Sequence, residues 1–277
     1  MMKLKLIYAF LIGMFVVACT SAEKESESNE PEVVEARVLG KVTTYASDST
    51  TMVGYLSLDV NDSSKRPGIL VVHEWWGHNE YSRKRADMLA GLGYVALAVD
   101  MYGDGKQAAH PDEAGAFAGM VMGNFDDAKA RFEAALETLK SHPNVDSEKI
   151  GAIGYCFGGS TVLSMANAGY ELDAVAAFHA GLGLPVMPEA GSVKGRILVA
   201  NGAEDKFVTE QQITDYKAAM DAAGASYEFI NYEGAVHSFT SKDADSLAAK
   251  FGMPLAYNAA ADSASWAKMQ ALFAEVF

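Results

Sequence analysis

Buried strands alternate with amphipathic helices from about residue 37 to the end of this chain. Short continuous apolar runs such as "GILVVHE", "YVALAVD" and "KIGAIGY" are typical of strands buried on both faces of a sheet. Segments with helical spacing, such as "YSRKRADMLAGLG" and "TEQQITDYKAAMDAAG", lie between such runs. The alternation predicts one α/β domain over residues 37–277, with a mostly parallel sheet and helices on both faces.

The charge balance limits the partners of this domain. The chain carries 36 acidic and 22 basic side chains, which gives a formal net charge of -14. Nucleic acids are polyanions and would be repelled, so we expect no nucleic-acid partner. Half of the 277 residues are hydrophobic, which is enough to bury one large core.

Residues 1–18 have the layout of a signal peptide. Lys3 and Lys5 precede an apolar run that reaches Val17, and the segment "VVAC" ends at Cys19. That ending resembles the lipobox of bacterial lipoproteins, in which the signal is cleaved before a cysteine that is then acylated. The alternative is an ordinary secretory signal followed by a chance cysteine.

Residues 19–36 are rich in serine and glutamate and offer little to bury, so they predict a flexible tether. With Cys19 acylated, we expect an exported protein of the bacterial cell envelope that contacts the membrane through its lipid anchor only. The chain has two cysteines, so Cys156 would then have no partner within it. A lone thiol in an oxidising compartment is a liability unless it is buried or used.

Cys156 lies where a predicted strand turns into a predicted helix. The segment "GYCFG" at 154–158 matches the G-x-S-x-G nucleophile elbow with sulfur in place of oxygen. Small neighbours suit such a tight, strained turn, and a helix N-terminus favours the thiolate, which is the nucleophilic form. The alternative is a structural cysteine buried beside a glycine-rich turn.

A nucleophile needs a base, and the base needs a group that orients it. In an elbow of this kind the acid and the histidine follow in chain order after later strands. That order indicates Asp205 in "NGAEDKFV" and His237 in "GAVHSF". Glu204 competes with Asp205 for the orienting role, Asp205 could instead cap the helix that begins near Thr209, and His237 could be an ordinary loop residue.

From about residue 37 onward the chain resembles the dienelactone hydrolase family, the cysteine branch of the α/β-hydrolases. The resemblance rests on "VVHEWWGHN", "GYCFGG", "NGAEDKFV" and "GAVHSF" and on the terminal helix. It implies an α/β-hydrolase fold with Cys156 as nucleophile, His237 as base and Asp205 as its orienting acid. It also implies that Glu74 contacts the resting thiol and moves away when substrate binds. Alternatively, Glu74 is a solvated carboxylate at a strand end.

Two backbone N–H groups are predicted to form the oxyanion hole. Trp75 lies in the loop past the third strand, and Phe157 directly follows the nucleophile. We expect an apolar pocket wall beside them, for which a place in the core is the alternative. The predicted wall residues are Trp76, Tyr102, His179 and Phe239.

The segment "HEWWGH" invites comparison with zinc proteases. The helical zinc motif needs two histidines four residues apart, whereas His73 and His78 are five apart at a predicted strand end. We therefore predict neither a metal nor another cofactor.

Together these patterns predict a hydrolase that cleaves a small or medium ester or lactone through an acyl-thioester. Well-known members of the family carry an arginine four residues after the histidine, where this chain has Ser241 followed by Lys242. Recognition of a carboxylate-bearing lactone is therefore not expected. The alternatives are an acyltransferase, thioesterase or peptidase on the same triad, and a non-catalytic surface binding module.

Overall fold

A computed structural model describes residues 36–277 of the chain. The predicted signal peptide, Cys19 and nearly all of the predicted tether lie outside these residues. Within them eight strands and seven helices follow one another. The strands are β1 (Val38–Ser47), β2 (Thr50–Asp59), β3 (Arg66–Val72), β4 (Val95–Val99), β5 (Val145–Tyr155), β6 (Ala174–Phe178), β7 (Arg196–Gly202) and β8 (Ser226–Tyr232). The helices are α1 (Glu80–Gly91), α2 (Pro111–Met122), α3 (Phe125–Lys140), α4 (Phe157–Asn167), α5 (Glu210–Ala222), α6 (Ala244–Phe251) and α7 (Ala259–Val276).

The eight strands form one sheet in the order β1-β2-β4-β3-β5-β6-β7-β8. The first two strands make an antiparallel hairpin, and β2 pairs antiparallel with β4. All remaining neighbours, from β4 to β8, are parallel. The prediction of a mostly parallel sheet is confirmed.

Helices cover both faces of this sheet, as predicted. Along β3, Leu70 and Val72 point into a core that α2, α3, α4 and α5 close. The intervening Ile69 and Val71 point into a second core that α1 and α7 close. Because side chains alternate between the two faces of a strand, a strand buried on both sides reads as a continuous apolar run.

The parallel strands all end at one edge of the sheet, and the loops that follow them meet there. Glu74 follows β3, Cys156 follows β5 and His179 follows β6. Asp205 and His237 lie in the loops after β7 and β8. Residues far apart in the sequence are thereby gathered at one site.

Two helices, α2 and α6, were not predicted from the sequence. Helix α2 begins with good signals, since His110 caps it and Pro111 is its first residue. Its body contains Gly115 and Gly119, however, which are poor helix formers. Helix α6 has eight residues and ends at Gly252 in the left-handed conformation. Among residues 36–277, none of the helices combines the length and the apolar character that a membrane span requires.

Candidate active site

Cys156 lies on a tight turn between β5 and α4 and has a positive φ of 53°. Two neighbouring glycines make this turn possible. A Cβ atom on Gly154 would lie 2.1 Å from the carbonyl oxygen of Gly158, and one on Gly158 would lie 2.3 Å from that of Val72. Backbone segments therefore approach each other too closely at Gly154 and Gly158 for either position to carry a side chain. The turn places the sulfur at the N-terminus of α4, where a negative charge is favoured.

The structure brings the three residues of the predicted triad together in the predicted order. The Nε2 atom of His237 lies 3.1 Å from the Sγ atom of Cys156. The Nδ1 atom of the same ring lies 2.7 Å from Oδ2 of Asp205. Since the Asp205 carboxylate can only accept at this site, the Nδ1 atom carries a proton, and Nε2 faces the sulfur.

The competing assignments for the acid do not fit this geometry. Glu204 is exposed to solvent, whereas Asp205 is buried. The cap of α5 is Thr209, which forms a reciprocal capping box with Gln212. Asp205 is therefore free to orient His237, and its second oxygen accepts the backbone N–H of Phe207 at 2.8 Å.

His237 is surrounded by groups that stabilise its charged form. Burial alone would lower its pKa, but the Cys156 sulfur and the Asp205 carboxylate outweigh burial and raise the pKa of His237 to about 10. An imidazolium beside the sulfur stabilises a thiolate. The arrangement therefore favours transfer of the thiol proton to His237.

Glu74 is buried next to this pair, with 4% of its surface exposed, so it is not a solvated strand end. Its Oε1 atom accepts a hydrogen bond from the Ser238 hydroxyl at 3.1 Å. Burial raises the pKa of Glu74 to about 7, against the opposing effects of His237 and Ser238. In this structure the Glu74 carboxylate is thus hydrogen-bonded to Ser238, and the Cys156 thiol is hydrogen-bonded to His237. A contact between Glu74 and the resting thiol stays a prediction.

The two predicted oxyanion donors both border the cavity in front of the thiol. Phe157 is the first residue of α4, so its N–H has no acceptor within the helix. The loop that carries Trp75 is held by Tyr102, whose hydroxyl donates to the Trp75 carbonyl at 2.9 Å. The N–H of Phe157 is therefore available to an oxyanion, and the backbone at Trp75 is held in place.

A cavity of about 250 Å³ opens in front of Cys156. Apart from the two triad residues and one serine, apolar side chains and glycine line it. The lining residues are Trp75, Ala118, Cys156, Phe157, Ser160, Gly181, Phe207, His237, Met253 and Leu255. Such a wall suits an uncharged group of small size.

The four residues predicted for the pocket wall do not line this cavity. Trp76 stacks on Phe251 of α6, and Tyr102 packs behind Phe157. His179 and Phe239 are fully buried behind His237. Each of the four residues is close to the site. The direction of the backbone after the strands turns their side chains into the interior, so other residues form the cavity wall.

The histidines of "HEWWGH" are also buried. The Nδ1 atom of His73 lies 2.5 Å from the carbonyl oxygen of Glu74, and Nε2 accepts the backbone N–H of Met101 at 3.2 Å. Both ring nitrogens are therefore occupied by backbone groups. Burial lowers the pKa of His73 to about 4 and that of His78 to about 3. Within residues 36–277, no group of His, Cys, Asp and Glu side chains has the arrangement of a metal site.

Neither Lys106 nor Lys242 lines the cavity in front of Cys156. Lys106 forms an exposed ion pair with Asp104 at 3.1 Å. Ser241 is buried, and Lys242 borders a separate cleft between α1 and the loop that follows His237. The cavity in front of Cys156 thus has no lysine or arginine in its wall.

Sequence reasoning missed several residues of the site. Phe207 packs on the His237 ring at 4.9 Å, and Ser238 bonds Glu74. Phe207 lies two residues after Asp205 and Ser238 lies one residue after His237, so closeness in sequence to the predicted residues was an available signal. Ala118 comes from the unpredicted α2, and Met253 follows the unpredicted α6. The sequence around Ala118 and Met253 contains no pattern that predicts a position beside the Cys156 thiol.

The chain is similar to known proteins over most of the residues that the structure describes. The sequence pattern described as "Dienelactone hydrolase family" matches residues 52–277. Protein usf of Aquifex pyrophilus is 30% identical over 207 residues, which cover 73% of this chain and 87% of that protein. The carboxymethylenebutenolidase of Pseudomonas putida is 30% identical over 184 residues, covering 62% and 75%.

Two solved structures are similar over 87% of this chain and 99% of their own. The protein m3DLH is 39% identical with a TM-score of 0.82. A dienelactone hydrolase-like promiscuous phosphotriesterase from metagenomic libraries is 34% identical with a TM-score of 0.80. These likenesses confirm the α/β-hydrolase fold.

Proposed function

Because the chain belongs to the dienelactone hydrolase family and is a carboxylic ester or lactone hydrolase, we propose that it cleaves its substrate through a Cys156 thioester. The observation that carries this proposal is the position of His237, which lies 3.1 Å from the Cys156 sulfur and 2.7 Å from the Asp205 carboxylate. These are the contacts that a nucleophile, its base and the orienting acid require.

In the proposed reaction His237 takes the thiol proton, and the sulfur attacks the substrate carbonyl. The N–H groups of Trp75 and Phe157 stabilise the oxyanion of the tetrahedral intermediate. The intermediate collapses as the C–O bond breaks, and His237 gives the proton to the departing alcohol. Water, deprotonated by His237, then attacks the thioester, and the acid leaves as the thiol forms again.

The proposal is tested by trapping the acyl-enzyme. We expect the full chain, quenched soon after mixing with p-nitrophenyl acetate, to carry an acetyl group on the peptide that contains Cys156. Ser160 also lines the cavity, and its hydroxyl is the alternative nucleophile. Peptide mapping of wild type beside Cys156→Ala and Ser160→Ala distinguishes the two. The proposed mechanism would be overturned if Cys156→Ala were still acetylated and still hydrolysed the ester at the wild-type rate.

We further propose that the substrate is a neutral ester or lactone. The apolar wall of the cavity and the net charge of -14 support this class. The position of Lys242 also supports a neutral substrate, because Lys242 borders a different cleft. A carboxylate on the substrate would enter a site that has no lysine or arginine in its wall and lies beside a buried Glu74.

Neutral phosphotriesters are a second candidate substrate. The likeness to a dienelactone hydrolase-like promiscuous phosphotriesterase suggests them, and the largely apolar cavity would accept them. We expect a p-nitrophenyl dialkyl phosphate to release p-nitrophenol in a burst equal to the amount of enzyme. The absence of both a burst and a steady release of p-nitrophenol would remove this candidate.

The site of action is proposed from the first residues alone. We propose that Cys19 carries a lipid and that the hydrolase domain is exported and held at a membrane of the bacterial cell envelope. The loose lipobox "VVAC" and the polar segment after it support this location.

A further inference from the structure

His73 is a buried histidine that the proposed reaction does not use. Its side chain is fully buried between β3 and the candidate oxyanion loop. Sequence comparison with zinc proteases singled it out, yet both of its ring nitrogens face backbone groups. A histidine with two fixed backbone partners at the edge of an active site calls for an explanation beyond packing.

The backbone partners fix the tautomer of His73. The N–H of Met101 can only donate, so Nε2, 3.2 Å away, is the acceptor. A neutral ring then carries its single proton on Nδ1. The Nδ1–H group donates to the carbonyl oxygen of Glu74 at 2.5 Å, and that oxygen also accepts the N–H of Gly77 at 3.1 Å.

The Glu74 carbonyl belongs to the peptide unit that carries the N–H of Trp75. In a planar trans peptide the C=O and N–H bonds point in opposite directions. Two donors that hold the Glu74 carbonyl therefore also fix the direction of the Trp75 N–H, which points away from His73. Trp75 itself borders the cavity at Cys156.

The ring of His73 also supports the second oxyanion donor from behind. It stacks on the ring of Phe157, with centroids 5.6 Å apart and 16° between the planes. It also meets Tyr102 edge to face at 4.7 Å, and the hydroxyl of Tyr102 donates to the Trp75 carbonyl. One side chain thus contacts the Glu74 carbonyl, the Phe157 ring and the Tyr102 ring.

We propose that His73 is a positioning residue for the oxyanion hole, which acts by holding the Glu74 carbonyl so that the N–H of Trp75 faces the reacting carbonyl. The inference rests on the proposed function, because the direction of this N–H matters only where an oxyanion forms beside Cys156. The contribution is made at a fully buried site, where water does not compete for the carbonyl.

The test uses His73→Asn and His73→Phe in the full chain. The amide nitrogen of asparagine occupies the place of Nδ1 and can donate to the Glu74 carbonyl, whereas phenylalanine keeps the ring without the donor. We expect His73→Phe to lower kcat by about 10²-fold with little change in KM, because one oxyanion donor is misdirected. His73→Asn should recover most of that loss.

A second measurement separates positioning from general damage. Butyraldehyde, the aldehyde that corresponds to the acid of p-nitrophenyl butyrate, adds to Cys156 and makes an oxyanion, whereas iodoacetamide alkylates the thiol without one. We expect the aldehyde inhibition constant of His73→Phe to rise by about the same factor as kcat falls. The rate of iodoacetamide alkylation should stay close to wild type.

His142 provides the matched control, since its Nδ1 accepts the backbone N–H of Asn144 just before β5, at the opposite end of that strand from Cys156. We expect His142→Phe to leave kcat, the aldehyde constant and the alkylation rate unchanged. The proposal would be overturned if His73→Phe lowered the alkylation rate and the aldehyde affinity by the same factor. It would also be overturned if His73→Asn folded but did not recover kcat. Absence of ester turnover in wild type would instead count against the proposed function, and the aldehyde and alkylation comparison would still test His73.

Discussion

The Ser238 hydroxyl donates to the buried carboxylate of Glu74 across 3.1 Å, one residue along the chain from His237. The bond ties the strand-end acid to the loop that carries the candidate base. A carboxylate held in this way affects both the stability of the fold and the charge of the site, and the two effects can be measured separately.

The stability of the protein should depend on the ionisation of Glu74. Its pKa is raised from 4.5 to about 7 in the folded chain, so the proton is bound more tightly when folded. This contribution is fully present below pH 4.5 and is lost as the pH rises through 7. Glu74→Gln does not titrate, so its stability relative to wild type should rise by about 2–3 kcal/mol between pH 5 and pH 8.

Urea unfolding of both proteins at the two pH values measures this difference. Glu171→Gln, which changes an exposed glutamate, is the control and should follow wild type at both values. Parallel stability curves for Glu74→Gln and wild type would mean that the Glu74 carboxylate is not perturbed by burial.

Replacing the sulfur with oxygen should keep the fold and remove most of the activity. A serine hydroxyl is a far weaker acid than a thiol, so the N-terminus of α4 cannot ionise it, and all activation falls to His237. We expect Cys156→Ser to lower kcat for a neutral p-nitrophenyl ester at least about 10²-fold, and His237→Ala to lower it by about 10²–10⁴-fold. Circular dichroism checks the fold, and wild-type turnover by Cys156→Ser would refute the thiolate role.

The charge of the substrate should decide its rate. At low salt we expect p-nitrophenyl butyrate to have at least about a tenfold higher kcat/KM than p-nitrophenyl hemisuccinate, because the protein carries a net charge of -14 and the cavity wall holds no lysine or arginine. Added salt should narrow the gap through screening. Lys242→Ala should leave the ratio unchanged, because Lys242 borders a separate cleft. A preference for the hemisuccinate would contradict this assignment.

The elbow should not tolerate a side chain at Gly158. A Cβ atom there would lie 2.3 Å from the Val72 carbonyl oxygen. We expect Gly158→Ala to destabilise the fold by at least about 2 kcal/mol and to abolish turnover. Gly115 is the matched control, because a Cβ atom on this exposed residue of α2 meets no atom within 4 Å. Gly115→Ala should stabilise the protein by about 0.5–1 kcal/mol, since alanine is the better helix former.

The proposed anchor can be tested by one substitution. In a bacterial host that processes lipoproteins, the full chain should fractionate with membranes and yield a lipid-modified N-terminal peptide. Cys19→Ala should be unlipidated and largely absent from the membrane fraction, with ester turnover unchanged. Membrane association that survives in Cys19→Ala would reject the lipoprotein assignment.

The order of the eight strands and of five of the seven helices, the elbow and the triad positions could be predicted from the sequence. A parallel strand buried on both faces is a continuous apolar run, and the residue that follows it lies at the active edge by geometry alone. Cys156, Asp205 and His237 each stand in such a position, so local pattern and chain order were enough to indicate them.

Tertiary structure alone decided what surrounds the thiol. Whether Trp76 or Trp75 meets the cavity depends on how one loop is held by Tyr102 and His73, and Met253 reaches the site only through the packing of α6 on Trp76. The same holds for Glu74, whose partner Ser238 lies on a loop more than half the chain away. Such contacts join residues that are distant in sequence through backbone directions at loops, and local periodicity carries no information about these directions.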